Sequence, residues 1–124
     1  MADILVVDNE ERMCKIIKAG LEMDGHRVSM SFSGKEALDD LSKDTAYDVV
    51  ITDLKMSPID GLKVLSAARS LTIPPEVILI TAFASQQTAL EAMRLGAFDY
   101  LIKPFEVPSH KISYLSCSMD KTVF

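Results

Sequence analysis

At 124 residues, with 48% hydrophobic and 25% charged residues, the chain is long enough for one domain with a real core and too apolar to remain disordered. Its net charge of −5, from 13 basic and 18 acidic residues with no Lys/Arg cluster, argues against direct nucleic-acid binding. The longest nearly apolar run, Val77 to Ala84, is far short of a membrane span, and MADILVVDNE lacks the basic flank of a signal peptide, so a cytoplasmic location is expected.

Residues 3 to 8 read as a strand, after which Asn9 or Glu10 opens a helix whose apolar positions Met13, Ile16, Ile17 and Leu21 follow the helical period. Gly25 is the stop. Arg27 to Ser31 is a short strand. Ser33 and Glu36 then have capping-box spacing ahead of Ala37, Leu38 and Leu41. The third strand, 47 to 52, lies in YDVVITDLKM, where Val49, Val50 and Ile51 without polar alternation indicate burial on both faces. A turn-rich segment from Lys55 to Gly61 leads into a helix carrying Val64, Leu65 and Ala68 on one face. Pro74 and Pro75 precede a fourth strand at 76 to 80. Ser85 caps a helix with Leu90 and Met93 inward that ends at Gly96, and Phe98 to Ile102 is the fifth strand. Strands alternating with helices at this interval imply a parallel sheet with helices on both faces, within a single domain spanning 1–124. From Glu106 onward the pattern weakens, although Ile112, Leu115 and Met119 share a helix face behind Pro108 and suggest an atypical last helix over 106–124.

Four of these strands end in a polar group: Asp8, Asp53, Thr81 and Lys103. In open α/β sheets ligands bind beyond the carboxyl ends of the strands, so the four groups are expected to converge there. Singly, each has a bland reading as a turn former, a helix cap or a solvated strand end, and for any one of them that reading is favoured by roughly two to one. Together they suit a phosphoryl group and a divalent cation. Two carboxylates drawn close repel unless a cation intervenes, which makes Asp8 and Asp53 a reasonable Mg²⁺ site. Lys103 can hold a phosphate as a point charge, and Thr81 can donate a hydrogen bond to it. His26 and His110 lack metal-ligand spacing, Cys14 and Cys117 form no ligand pair, and no structural disulfide is expected, with Cys14 read as a buried thiol. No GxxxxGK[ST], GxGxxG or GxSxG motif occurs.

ILVVDNE, VVITDLKM with IDG behind it, ILITAFA and GAFDYLIKPF, in this order over Asp3 to Phe105, resemble the receiver domain of two-component response regulators. GAFDYLIKPF looks like receivers of the nitrogen-regulator type. The resemblance implies a flavodoxin-like, doubly wound five-stranded parallel sheet of order 2-1-3-4-5. It also implies that Asp53 is the phosphoacceptor, that Asp8 belongs to the metal pocket, and that Thr81 and Lys103 contact the phosphoryl group. Tyr100 would be the aromatic switch, and the Lys55 backbone carbonyl a metal ligand. Asn9 stands where the family usually has a second acid; it can coordinate through its carbonyl but brings no charge. Pro58 follows Ser57, whereas the family often has Pro directly after the Met.

The function implied is acceptance of a phosphoryl group from a sensor histidine kinase onto Asp53 with Mg²⁺, followed by a switch of the helix 4/strand 5 face. An attached or separate effector domain and a phosphorylation-dependent homodimer are the further partners implied, without nucleic acid or membrane. The alternative reading is an Asp-nucleophile phosphatase of small esters, against which Asp8-Asn9-Glu10 offers no DxD acid pair. A flavin-binding module is a third, disfavoured by the anionic strand ends.

Overall fold

The apolar runs between turn signals form the strands of one sheet. The computed structural model describes residues 1–43 and 46–103. In chain order these are β1 (Asp3–Val7), α1 (Glu11–Met23), β2 (Arg27–Ser31), α2 (Gly34–Leu41), β3 (Val49–Asp53), α3 (Gly61–Arg69), β4 (Glu76–Thr81), α4 (Gln86–Arg94) and β5 (Asp99–Ile102). All strands pair in parallel, in the order β2-β1-β3-β4-β5. This is the expected flavodoxin-like arrangement. The atypical helix expected over 106–124, with Pro108, His110, Ile112, Leu115, Cys117 and Met119, lies outside the described residues.

The sheet's two faces sort by alternate residues, as the two-residue side-chain period of a strand requires. Ile4, Val6, Val49, Ile51, Ile78 and Ile80 face α1, where they meet Cys14, Ile17 and Leu21. Leu5, Val7, Val50, Val77 and Leu79 face the other layer, meeting Ala37 and Leu41 of α2, Val64, Leu65 and Ala68 of α3, and Ala92 of α4. Every residue of β3 is buried, in agreement with its unbroken apolar reading.

Several local expectations need correction. Ile16 is 54% exposed, because Cys14, Ile17 and Leu21 define the buried stripe of α1 and Ile16 falls beside it. Leu90 and Met93, expected inward, are 58% and 53% exposed. In α4 the small Ala92 supplies the buried contact, with Thr88, Ala89 and Leu95 half-buried around it, so the large apolar side chains turn outward. The third strand starts at Val49 rather than Tyr47, the fourth extends to Thr81, and the fifth starts at Asp99. Ser33 caps α2 by accepting the Glu36 N–H, but the Glu36 carboxylate accepts from Phe32 N–H rather than closing a box on Ser33. Gly25 and Gly96 take φ of +87° and +96° behind α1 and α4, the left-handed region that makes glycine a helix stop.

Candidate functional site

Asp53 ends β3, in register with Ile80 of β4, and belongs to the same alternate row as Val49 and Ile51 on the α1 side. It is 6% exposed. Asp8 follows β1 and is fully buried; its Oδ1 accepts the Glu10 N–H at 2.9 Å, which steadies the chain's entry into α1. Glu10, at the N-cap position, makes no side-chain cap of its own. Lys103 reaches back over this edge from behind β5. Its Nζ donates to Asp8 Oδ2 at 2.9 Å and lies 3.6 Å from Asp53 Oδ1. The Lys103 side chain is only 13% exposed, so it is a part-buried counter-ion and not a solvated strand end.

The electrostatics follow from this packing. Burial, and then the charge of Asp8, push the Asp53 carboxyl above its ordinary value; the ammonium of Lys103 offsets them only in part. Burial alone lowers the Lys103 pKa, but the hydrogen bond to Asp8 and the charges of Asp53 and Asp8 outweigh it and hold the group above the usual lysine value. Lys103 hydrogen-bonds Asp8, the nearer carboxylate, and acts on Asp53 through its charge. Two carboxylates and one ammonium leave a net negative pocket.

Thr81 ends β4 fully buried, in the alternate row of Val77 and Leu79. Its hydroxyl accepts the Phe83 N–H at 3.0 Å, and its carbonyl accepts the Lys103 N–H at 2.8 Å. Tyr100 pairs with Leu79 on β4 and packs on the α2–α4 layer. Its hydroxyl lies 2.7 Å from Thr88 Oγ1. Asn9 and Lys55, both exposed, line a cavity of about 410 Å³ with Ser57, Asp60 and Thr88. The Ser57–Pro58 peptide bond in this loop is cis. Asp60 caps α3 through Lys63 N–H, and Gly61 sits so close beneath the end of β3 that an added Cβ would strike the Asp53 carbonyl oxygen and the Leu54 backbone.

The structure thus joins Asp8, Asp53 and Lys103 directly and places Thr81 on the neighbouring strand end. Tyr100 lies on the opposite layer, and Asn9 and Lys55 at the cavity beside the acids. Hard oxygen donors in this setting fit a divalent cation of the magnesium type, which accepts one or two carboxylates and completes its shell with water and phosphate oxygens. The partly unneutralised acid pair is the observation behind that fit. Among the described residues no group of three or more His, Cys, Asp or Glu side chains forms a separate metal cluster.

Two side chains make contacts that the sequence did not reveal. The Cys14 thiol, with its pKa raised to about 11 chiefly by burial, shares its single proton between the Asp8 and Ser31 carbonyls, 3.4 and 3.7 Å away. Thr88 ties Tyr100 to α4; its three-residue spacing from Ser85 was the available signal, but the usual partner at that position is Glu or Gln.

Known proteins share this fold. The family model described as "Response regulator receiver domain" matches residues 4–111. The transcriptional regulatory protein ZraR of Salmonella typhimurium is 38% identical over 104 residues, 84% of this chain and 23% of that protein. The regulatory protein AtoC of Escherichia coli is 40% identical over 104 residues, covering 84% of this chain and 22% of its own length. The chain therefore spans about a quarter of the length of these relatives. Among solved structures, the receiver domain of the Francisella response regulator 1452 superposes with a TM-score of 0.85 at 30% identity, covering 96% of this chain and 99% of that one. The response regulator protein TrrA of Thermotoga maritima, solved in complex with Mg(2+)-BeF, gives 0.80 at 31% identity over 93% of this chain and 99% of that one.

Proposed function

Because this chain belongs to the response regulator receiver domain family, we propose that Asp53 accepts a phosphoryl group from a phosphohistidine of a sensor kinase, in a Mg²⁺-dependent reaction. The observation that carries the proposal is the set of strand ends: a carboxylate at the sheet edge, raised in pKa by burial and by Asp8, with Lys103 3.6 Å away. An Asp53 oxygen attacks phosphorus as the P–N bond breaks; the electron pair returns to the imidazole nitrogen, which is then protonated from solvent. Lys103 neutralises charge on the transferring group, and the Thr81 hydroxyl turns from Phe83 N–H to a phosphoryl oxygen. When bound, magnesium supplies the remaining positive charge; Asp8, Asp53, the Lys55 carbonyl and the Asn9 side-chain carbonyl are the groups to hold it. TrrA, solved with Mg(2+)-BeF, supports that reading.

The added charge, about −1.5 to −2 for a phosphate monoester, then biases the α4–β5 face with Tyr100 as the switch. The kinase, an effector domain attached or separate, and a second copy of the chain on phosphorylation are the partners of this reading, and its location is the cytoplasm. The family match weighs against the small-ester phosphatase alternative. After exposure to Mg²⁺ and a small acyl phosphate, borohydride reduction followed by peptide mapping should place homoserine at position 53. Reduction at any other residue contradicts the assignment.

A further inference from the structure

The hydroxyl of Thr88 lies where two parts of the molecule meet. Toward the β4–α4 loop it donates to the Ser85 carbonyl at 3.1 Å and accepts the Ser85 N–H at 3.3 Å, while Ser85 Oγ accepts the Thr88 N–H at 3.1 Å. Toward the sheet it lies 2.7 Å from the Tyr100 hydroxyl. A threonine hydroxyl has one proton and two lone pairs. Ser85 Oγ also lies 2.9 Å from Thr88 Oγ1, so four polar groups surround this one hydroxyl and either Thr88 or Tyr100 can donate across their 2.7 Å pair. The pair is half-buried, so breaking it strands polar groups against the α2–α4 layer.

The loop between Thr81 and Ser85 is short, and its far end is held by the Thr81 hydroxyl on the Phe83 N–H at 3.0 Å. A turn of that hydroxyl frees the Phe83 N–H, and the next fixed point along the chain is the Ser85–Thr88 cap. On the reading that Asp53 is phosphorylated, we propose that Thr88 is a positioning residue: it carries the displacement of Thr81 to Tyr100 by holding the loop's cap and the Tyr100 hydroxyl on one oxygen. Tyr100 cannot leave its position without vacating that oxygen, and the cap cannot rearrange without moving the hydrogen-bond partner of Tyr100.

The test uses protein labelled with fluorotyrosine, the Tyr100 resonance being identified by its loss in Tyr100→Phe. Mg²⁺ with beryllofluoride is the probe, and intact mass after treatment with an acyl phosphate is recorded in parallel. The expected result is that Thr88→Val shifts the Tyr100 resonance already in the free protein and cuts the beryllofluoride-induced shift at least twofold, while Thr88→Ser, which keeps the hydroxyl, restores both. A full-sized shift in folded Thr88→Val overturns the proposal. Thr88→Val also weakens the α4 cap, so Tyr100→Phe supplies an independent reading with the cap intact: the Ser85 amide should exchange severalfold faster than in the parent. Unchanged exchange overturns the proposal as well. Failure of the phosphoacceptor reading would register separately, as absence of the mass adduct in the parent protein.

Discussion

Lys103 is the residue on which the pocket's charge balance depends. Replacing it by Met leaves Asp8 and Asp53 buried together without a counter-ion, a change expected to destabilise the fold by roughly 3 kcal/mol at neutral pH. Urea unfolding would measure it, and the deficit should shrink as the pH falls, because Asp53, with its raised pKa, takes up a proton and loses its charge. The Lys103 contribution itself is fully present below the ordinary lysine value of 10.5 and fades only as the pH rises through its higher folded value. His26 behaves in the opposite sense. It is 7% exposed, its Nδ1 accepts the Ala2 N–H at 3.0 Å, and its Nε2 finds no partner among the described residues. Burial, then the nearby N-terminal ammonium, lower its pKa against the opposing charge of Asp24. A folded pKa below the unfolded one means the unfolded chain protonates first, so stability is full above 6.5 and is lost as the pH falls below it. Between pH values on either side of 6.5, the parent should lose of order 1 kcal/mol more than His26→Gln. Equal losses would contradict the role given to Nδ1.

At the scale of elements, the β3–α3 connection decides how Asp53 is presented. Gly61 opens α3 directly beneath the end of β3, and a methyl there meets backbone atoms of Asp53 and Leu54 that have no flexible end to yield. Gly61→Ala is therefore expected to cost about 2 kcal/mol and to slow adduct formation on Asp53 together with it. Unchanged stability and rate would show that the loop yields freely. The strand assignments were readable because parallel strands buried on both faces leave unbroken apolar runs, and because the polar group that halts each run is conspicuous. Asp8, Asp53, Thr81 and Lys103 all stood out for that reason. The orientation of α4 was not readable: hydrophobicity points Leu90 and Met93 inward, but the buried contact is made by Ala92. The Thr88–Tyr100 and Cys14–Asp8 contacts were hidden for a different cause, since each joins segments whose proximity the fold alone establishes.

For the whole molecule, the parallel sheet gathers strand ends from residues 8 to 103 at one edge, so a charge placed on Asp53 lies beside groups drawn from both ends of the described residues. On the proposed reading, Asp8 and Lys103 hold the acceptor, Thr81 senses the added group, and Thr88 with Tyr100 passes the change to the α4–β5 face. The central claim is that Asp53, with its acid neighbour and a divalent cation, takes a single phosphoryl group. Intact mass measured after incubation with Mg²⁺ and a small acyl phosphate tests this directly. The account predicts one phosphoryl adduct per chain, abolished by chelating the metal and absent from Asp53→Asn; an adduct that persists in Asp53→Asn, or none in the parent protein, would contradict it.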